Sequence, residues 1–311
     1  MGDSSPRSNE PETADEPACI TTIVETVAEA VPKLRTAFET HRSYEGEQNP
    51  SGEEMLAADV YADELLESRF RDMGCVGTYA SEERGDAVEF GSGLSVTVDP
   101  LDGSSNLGSN NGVGTIVGVY DGDLPARGRD LVGAMYVLYG PVTTAIVATE
   151  GGVSEYLMTD GGREVLTASV SVPEEGHVYG FGGPVPAWSG AFRRYAMSVQ
   201  RRLKRRYGGA LVADVNQVVS HGGVFAYPAL ETRPSGKLRL QFEANPIAYI
   251  VEQAGGVSSD GNGSILDTEP ERLHQRTPLF VGSQEPMADL IETLSGKVTN
   301  PAVTTRESPW E

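Results

Sequence analysis

Leu94-Ser95-Val96-Thr97-Val98-Asp99-Pro100-Leu101-Asp102-Gly103-Ser104-Ser105-Asn106 is the stretch on which the reading of this chain turns. Leu94, Val96 and Val98 alternate with Ser95 and Thr97, the period of a half-buried strand, and the pattern predicts that the strand ends at Asp99. Pro100 holds the chain extended, so two carboxylates, Asp99 and Asp102, stand three residues apart at a strand end. Gly103-Ser104-Ser105-Asn106 then supplies a tight turn of exposed amides and hydroxyls. Carboxylates beside free N–H groups suit a divalent cation next to a phosphate, because the cation takes the oxygens and the amides take the anion. A plain β-turn is the competing reading, since Asp-Gly and Ser-Asn are ordinary loop dipeptides. Two acids flanking Pro-Leu and followed by Gly-Ser-Ser-Asn are a much rarer combination, and the functional reading is preferred.

Working outward, apolar runs over 114–120, 131–139 and 143–149 continue a sheet, and Glu150-Gly151-Gly152 marks a turn. Upstream, Ile20, Ile23, Val24, Val27, Val31, Leu34 and Phe38 recur at helical spacing, with a kink or break expected at Pro32. Ser51 and Glu54 form a capping-box pattern, predicting a helix from there to about Phe70. Asp59 falls within that helix's apolar stripe of Met55, Ala58, Ala62, Leu65, Leu66 and Phe70. An inward carboxylate is costly unless bonded to nearby backbone or set beside a metal, and both readings stay open. The pattern restarts near residue 170. Beyond it, 211–220 reads as a helix, 237–242 as a strand, and 245–254 as a helix with Asn245 as cap, Pro246 in its first turn and Gly255-Gly256 as its stop. Alternating helices and strands predict a layered α/β architecture. The expected organisation is an acidic disordered leader (1–17), an N-terminal half with most of the candidate ligands (18–170), a C-terminal half (171–298) and a disordered tail (299–311).

The 311 residues, 39% of them hydrophobic, suffice for a substantial core. No uninterrupted apolar run of about 18 residues spans a membrane, and the N-terminus lacks the order of a signal peptide. Cys19 and Cys75 are expected to be reduced, small buried residues, and the location to be cytoplasmic. A net charge of −21 argues against nucleic acid and anionic membranes as partners. Lysine occurs only at Lys33, Lys204, Lys237 and Lys297, and arginine supplies the other bases. So acidic a surface fits adaptation to high internal salt, where charge is screened. Against that background the bases from Arg201 to Arg206 read better as a phosphate receptor than as a solvated run.

Glu82-Glu83 after Ser81 is by itself only an acidic pair. Glu243 ends the alternation of 237–242 at a strand-to-helix junction, where α/β sheets bind ligands. Four blocks then carry a resemblance: Ser81-Glu82-Glu83; Asp99 to Asn106; Leu211-Val212-Ala213-Asp214-Val215; and Gly236-Lys237-Leu238-Arg239-Leu240-Gln241-Phe242-Glu243-Ala244-Asn245-Pro246, continued by His274-Gln275-Arg276. The chain resembles class I fructose-1,6-bisphosphatases, within the lithium-sensitive, magnesium-dependent phosphatase superfamily that includes inositol monophosphatases. The resemblance spans about residues 20–290 and implies an αβαβα sandwich of the sugar-phosphatase type. It implies two or three Mg²⁺ ions per site, held by Glu82, Asp99, Asp102 and Glu243 with the Leu101 carbonyl, and assisted by Glu53. Asp59 and Glu83 would orient and deprotonate the attacking water, and Gly103, Ser104 and Ser105 would hold the phosphate being cleaved. Lys237, Tyr227, Tyr207 and Arg206 would grip the sugar and the distal phosphate, Arg206 reaching across from a neighbouring subunit. The resemblance thus implies a sugar bisphosphate as substrate and at least a dimer, commonly a tetramer. The four histidines, His41, His177, His221 and His274, are assigned no catalytic role.

Two departures from the family pattern bear on function. Tyr179-Gly180-Phe181-Gly182-Gly183-Pro184 replaces a distal-phosphate loop that carries an Asn and a Tyr in the family, so sedoheptulose 1,7-bisphosphate or a wider range of sugar phosphates competes as substrate. Gly93-Leu94 replaces a Lys-Tyr pair, and Pro17, Ala18 and Cys19 stand at the helix-start nucleotide contacts, so inhibition by AMP is not expected. An inositol-monophosphatase-like activity, or a non-catalytic sugar-phosphate-binding regulator, is a further alternative. The first conflicts with Phe242-Glu243 and Asn245-Pro246, where inositol monophosphatases carry a Trp-Asp pair, and the second with the full set of carboxylates.

Overall fold

The computed structural model describes residues 17–41, 43–50, 52, 54–160 and 162–296, with backbone only for 44–47. The expected leader before Pro17 and the expected tail lie outside these residues, as do Ser51 and Glu53. The first half runs α1 (Ala18–Thr40), β1 (Tyr44–Gln48), β2 (Glu54–Leu56), α2 (Ala57–Arg71), β3 (Val76–Ser81), β4 (Val88–Glu89), β5 (Leu94–Asp102), β6 (Val113–Tyr120), β7 (Leu131–Tyr139), β8 (Thr143–Thr149), β9 (Gly152–Thr159) and β10 (Gly162–Thr167). The second half runs β11 (Val178–Phe181), α3 (Gly190–Gln200), β12 (Lys204–Arg205), α4 (Leu211–His221), β13 (Gly223–Tyr227), β14 (Leu238–Arg239), α5 (Asn245–Gln253), β15 (Val257–Ser259), β16 (Arg276–Thr277), β17 (Leu279–Gly282) and α6 (Gln284–Leu294).

Strand periodicity converts this order into layers. In the eight-stranded sheet, β10-β9-β8-β7-β6-β5-β3-β4, Val117, Val137 and Val147 face α1 and α2, whereas Ile116, Tyr136 and Ile146 face α4 and α5. The five-stranded sheet, β12-β11-β13-β17-β15, turns Phe225 and Val281 toward the same α4–α5 layer and Val224 and Phe280 toward α3 and α6. The result is the five-layer αβαβα sandwich that the resemblance implied.

Several local expectations need correction. Pro32 does not break α1, which is continuous from Ala18 to Thr40. A helix-interior proline costs about 3 kcal/mol, and the buried stripe from Ile20 to Phe38 outweighs it at ~1.5–3 kcal/mol per fully buried large side chain. Cys19 and Cys75 are not free thiols: they form a disulfide, because the first turn of α1 crosses the start of β3 and brings their Cα atoms to 6.1 Å. Both are half-buried rather than buried. The helix expected from Ser51 starts only at Ala57, since Glu54–Leu56 pairs as a strand with Tyr44–Gln48. Its N-cap is Leu56, whose N–H donates back to Oδ2 of Asp59, the third residue of the helix, at 2.7 Å.

In the second half, the expected strand over 237–242 is only Leu238–Arg239, followed by a wide π-turn over Leu240–Ala244 that feeds directly into α5. Asn245 therefore has helical dihedrals and does not cap. The helix does stop at Gly255-Gly256: Gly255 adopts φ 81°, and the Gly256 N–H donates to the Val251 carbonyl at 2.8 Å.

Candidate active site

The site begins where two parallel strands end side by side. β3 and β5 run parallel with Ser81 opposite Val98, so the next residues, Glu82 and Asp99, emerge together at one edge of the sheet. The Glu82 N–H donates to the Val98 carbonyl at 3.0 Å and locks that register. On β5 the period of two places Val96 and Val98 in the α1–α2 core and turns Thr97 and Asp99 the other way, toward the π-turn.

β5 does not end at Asp99, as the alternation suggested, but continues to Asp102 through a bulge. Asp99 pairs with Ile116 and Asp102 with Gly114, so one extra residue is accommodated between them. Three residues of regular strand would send the two aspartates to opposite faces. The extra residue brings both to the same cavity, and Pro100 fits there because a bulged residue needs no ladder N–H. Asp102 meets the first turn of α4, where its two oxygens accept from the Leu211 and Val212 N–H groups at 3.0 and 2.7 Å. Gly103 follows at φ 74°, and a Cβ there would lie 2.4 Å from that of Ala210. Only glycine permits this left-handed turn against α4. Ser104 opens a short 3₁₀ turn, and Ser104 and Ser105 line the cavity.

The second half supplies Glu243 from the π-turn. That turn is anchored by Gln241, which is wholly buried: its side chain exchanges hydrogen bonds with the Ala126 backbone, and its carbonyl accepts from Thr97 Oγ1 and Tyr120 OH. Glu82, Asp99 and Glu243 then present carboxylate oxygens that all lie within 4.8 Å of one another, all three residues being buried. Arg239 sits among them, 2% exposed, with Nη2 3.2 Å from Glu82 and Nη1 3.9 Å from Glu243, while its N–H donates to Glu243 at 2.6 Å.

These charges are crowded. Burial, then the charges of Glu82, Asp102 and Glu243, push Asp99 well above the usual carboxylate range. Burial also lifts Asp102 to about 7 against the helix amides, which oppose the rise. Glu83 is pushed up to about 8, by burial first and by the Asp59 charge second. One buried guanidinium against so many carboxylates leaves the site short of positive charge, and an all-oxygen, anionic donor set suits a hard divalent cation.

A cavity of about 370 Å³ joins these residues to the expected sugar side. Asp59 and Glu83 line it beside the carboxylate cluster, as does Leu101. Opposite stand Lys237, Tyr207 and Tyr227, with the Lys237 ammonium 5.4 Å from the centre of the Tyr227 ring. Burial and the neighbouring Tyr227 raise the Tyr207 phenol to about 12. Of the expected site residues, Arg206 is exposed and outside this cavity, and Glu53 lies outside the described residues.

Among the cavity residues that sequence reasoning missed are Arg239, Asp214 and Asn49. Arg239 shares the outward phase of Lys237 and Gln241 in the 237–242 alternation, a signal that a base points toward the carboxylates. Asp214 accepts from the Gly208 and Gly209 N–H groups at 2.5 and 3.0 Å and holds the loop that carries Tyr207. Asn49, buried beside Glu83, had no sequence signal. The divergent loop at Phe181 does not reach the cavity: Phe181 is buried against Trp188, Phe192 and Tyr195.

Comparison with known proteins agrees with this geometry. Residues 13–169 match the fructose-1-6-bisphosphatase N-terminal domain and residues 172–295 the C-terminal domain. A class 1 fructose-1,6-bisphosphatase from Natronomonas pharaonis is 57% identical over 266 residues, covering 85% of this chain and 94% of the relative. One from Haloarcula marismortui is 48% identical over 279 residues, covering 90% and 94%. The crystal structure of Leishmania major fructose-1,6-bisphosphatase in holo form superposes with a TM-score of 0.84 at 28% identity, covering 90% of this chain and 96% of that one. A Toxoplasma gondii structure assigned as a sedoheptulose-1,7 bisphosphatase gives 0.82 at 28%, covering 92% and 97%. Domain matches along nearly the whole chain, and high identity to haloarchaeal relatives, lead to one conclusion: the chain belongs to the class 1 fructose-1,6-bisphosphatase family.

Proposed function

We propose that this chain hydrolyses the 1-phosphate of fructose 1,6-bisphosphate, giving fructose 6-phosphate and phosphate, with Mg²⁺ as its metal. The observation that carries the reading is the convergence of Glu82, Asp99 and Glu243, from both halves of the chain, beside the Gly103–Ser105 turn. Two or three Mg²⁺ ions held by these carboxylates, with Asp102, the Leu101 carbonyl and Glu53 assisting, would neutralise the phosphoryl oxygens and the leaving oxygen. Asp102 also accepts two helix amides, and each carboxylate oxygen retains a second lone pair.

The chain's own groups divide the remaining work. The turn at Gly103, Ser104 and Ser105 holds the phosphate to be cleaved, its amides and hydroxyls facing anionic oxygens. Asp59, fixed by the Leu56 amide, and Glu83 orient the attacking water, and Glu83 takes its proton as the new P–O bond forms and the sugar C1–O–P linkage breaks. The bond between phosphorus and the C1 oxygen is the one that breaks; the departing C1 alkoxide takes a proton from a solvent water to become the alcohol, and Glu83 returns its proton to solvent, so that protons balance over the turnover. Lys237, Tyr207 and Tyr227 bind the distal end of the sugar. Arg206, exposed on the edge of the second sheet, serves a neighbouring copy's site, so the working unit is at least a dimer.

A second substrate class is favoured by one observation. Because Phe181 packs into the aromatic layer, the Tyr179–Pro184 loop puts no side chain into the cavity, and the distal end is left roomier. Sedoheptulose 1,7-bisphosphate fits that description. The expected insensitivity to AMP is in keeping with the Cys19–Cys75 bridge, which joins α1's first turn to the start of β3, beside Gly93-Leu94; the Leu94 N–H itself donates to the Cys75 carbonyl at 2.9 Å.

The test is phosphate release from fructose 1,6-bisphosphate, sedoheptulose 1,7-bisphosphate and inositol 1-phosphate, with and without Mg²⁺, in molar KCl. Mg²⁺-dependent turnover of a sugar bisphosphate over inositol 1-phosphate is expected. Metal-independent release, or preference for inositol 1-phosphate, overturns the reading.

A further inference from the structure

Glu82 and Glu243 belong to different halves of the chain, so something must set the distance between their turns. We infer that His274 is a positioning residue that braces the metal-ligand turn of the first half against that of the second. The inference rests on the reading of Glu82, Asp99 and Glu243 as a metal cage.

The segment His274-Gln275-Arg276 runs alongside the Glu243 turn as a splint. Arg276 pairs with Arg239 in the two-stranded β14–β16 ladder, and the Gln275 carbonyl accepts from the Leu240 N–H at 2.7 Å. The His274 ring packs on Phe242, the residue before Glu243, with ring centres 5.0 Å apart. From there His274 Nε2 reaches across to the Arg84 carbonyl at 2.7 Å, one residue beyond Glu83. A carbonyl can only accept, so Nε2 carries the hydrogen.

Arg84 extends the brace. Its guanidinium donates to Asp63 at 2.5 Å and lies 3.4 Å from Glu67, both on α2, whose first turn carries Asp59. Tyr79 OH, on β3, donates to the same Asp63 at 2.9 Å. The Glu82-Glu83-Arg84 turn is therefore fixed by the Arg84 side chain on one side and by its carbonyl, through His274, on the other. His274 is the one imidazole among the described residues that touches both ligand-bearing turns. A carboxylate cage repels itself before a cation enters, and ligand oxygens displaced by a fraction of an ångström bind metal more weakly. Outer residues of this kind typically alter metal affinity about 10–100-fold.

The experiment measures Mn²⁺ binding to the full chain by the electron paramagnetic resonance signal of the free ion, together with the Mg²⁺ dependence of turnover. His274→Phe keeps a ring against Phe242 and removes the N–H, whereas His274→Gln keeps an N–H donor at similar reach. The expected result is that His274→Phe weakens Mn²⁺ binding at least about tenfold and raises the Mg²⁺ half-activation point in parallel. KM for the sugar bisphosphate should stay within twofold, and His274→Gln should recover most of the loss. Mn²⁺ affinity within twofold of the parent in His274→Phe, even with a lowered melting temperature, overturns the inference. So does a failure of His274→Gln to bind better than His274→Phe. Glu243→Gln serves as the control: if it binds Mn²⁺ normally, the metal-cage reading itself fails. If it loses binding while His274→Phe does not, the brace alone falls.

Discussion

Replacing Arg239 with methionine tests the electrostatics on which the site depends. Its guanidinium is the buried cation 3.2 Å from Glu82 and 3.9 Å from Glu243. At an effective dielectric of 20 these separations correspond to gross attractions of about 5 and 4 kcal/mol. Desolvating the guanidinium offsets several kcal/mol of that. Removing one partner of such a set leaves buried like charges uncompensated, and breaking a buried pair costs roughly 3–5 kcal/mol. Methionine roughly preserves the buried volume, so the loss is electrostatic rather than a cavity. The metal-free Arg239→Met chain should therefore be about 3–5 kcal/mol less stable than the parent at pH 8.5. At pH 5.5 the difference should shrink, because carboxyls with raised pKa values then hold their protons and need no counter-charge. Urea unfolding in chelator and molar KCl, at both pH values, measures this. Saturating Mg²⁺ at pH 8.5 should restore a large part of the loss. Equal stability of Arg239→Met and the parent, metal-free at pH 8.5, would refute the charge argument.

The parent should itself show the same linkage. Glu83, pushed up to about 8, and Asp102, to about 7, bind protons in the folded chain that the unfolded chain releases near pH 4–5. Metal-free stability should thus fall as pH rises from about 5 through 8, and thermal melts that stay flat or climb over that window contradict the site's electrostatics. Cys19→Ser opens a link spanning a sequence separation of 56 residues, for which loop entropy gives about 4 kcal/mol; denaturant midpoints of parent and variant check it, and an unchanged midpoint argues against the bridge in solution. Gly103→Ala places a Cβ 2.4 Å from that of Ala210 at φ 74°, so a stability loss of about 2–4 kcal/mol and at least a tenfold drop in kcat are expected in paired unfolding and turnover assays. A variant as active as the parent would mean that the turn does not hold the phosphate.

Much of this molecule was legible in its sequence, because much of it is local. Continuous apolar runs placed β7 over Leu131–Tyr139 and β8 over Thr143–Thr149, and the spacing of Ile20 to Phe38 predicted α1. Asp99, Asp102 and the Gly103 turn announced a cation and an anion from residue chemistry, and the resemblance brought in Glu82 and Glu243. What tertiary structure decided lies wherever distant segments outvote local preference. Burial against the sheet keeps α1 intact through Pro32. The bulge against β6 turns Asp102 to the same side as Asp99, contrary to the strand's own period. The ladder with Arg276 and the buried Gln241 coil 240–244 into a wide turn where alternation read a strand. The Cys19–Cys75 bridge and the partnership of Arg239 with Glu82 join residues far apart in the chain. Period and turn chemistry act over a few residues, whereas charge compensation and close packing depend on which segments meet, and that is settled only when the two halves close on each other.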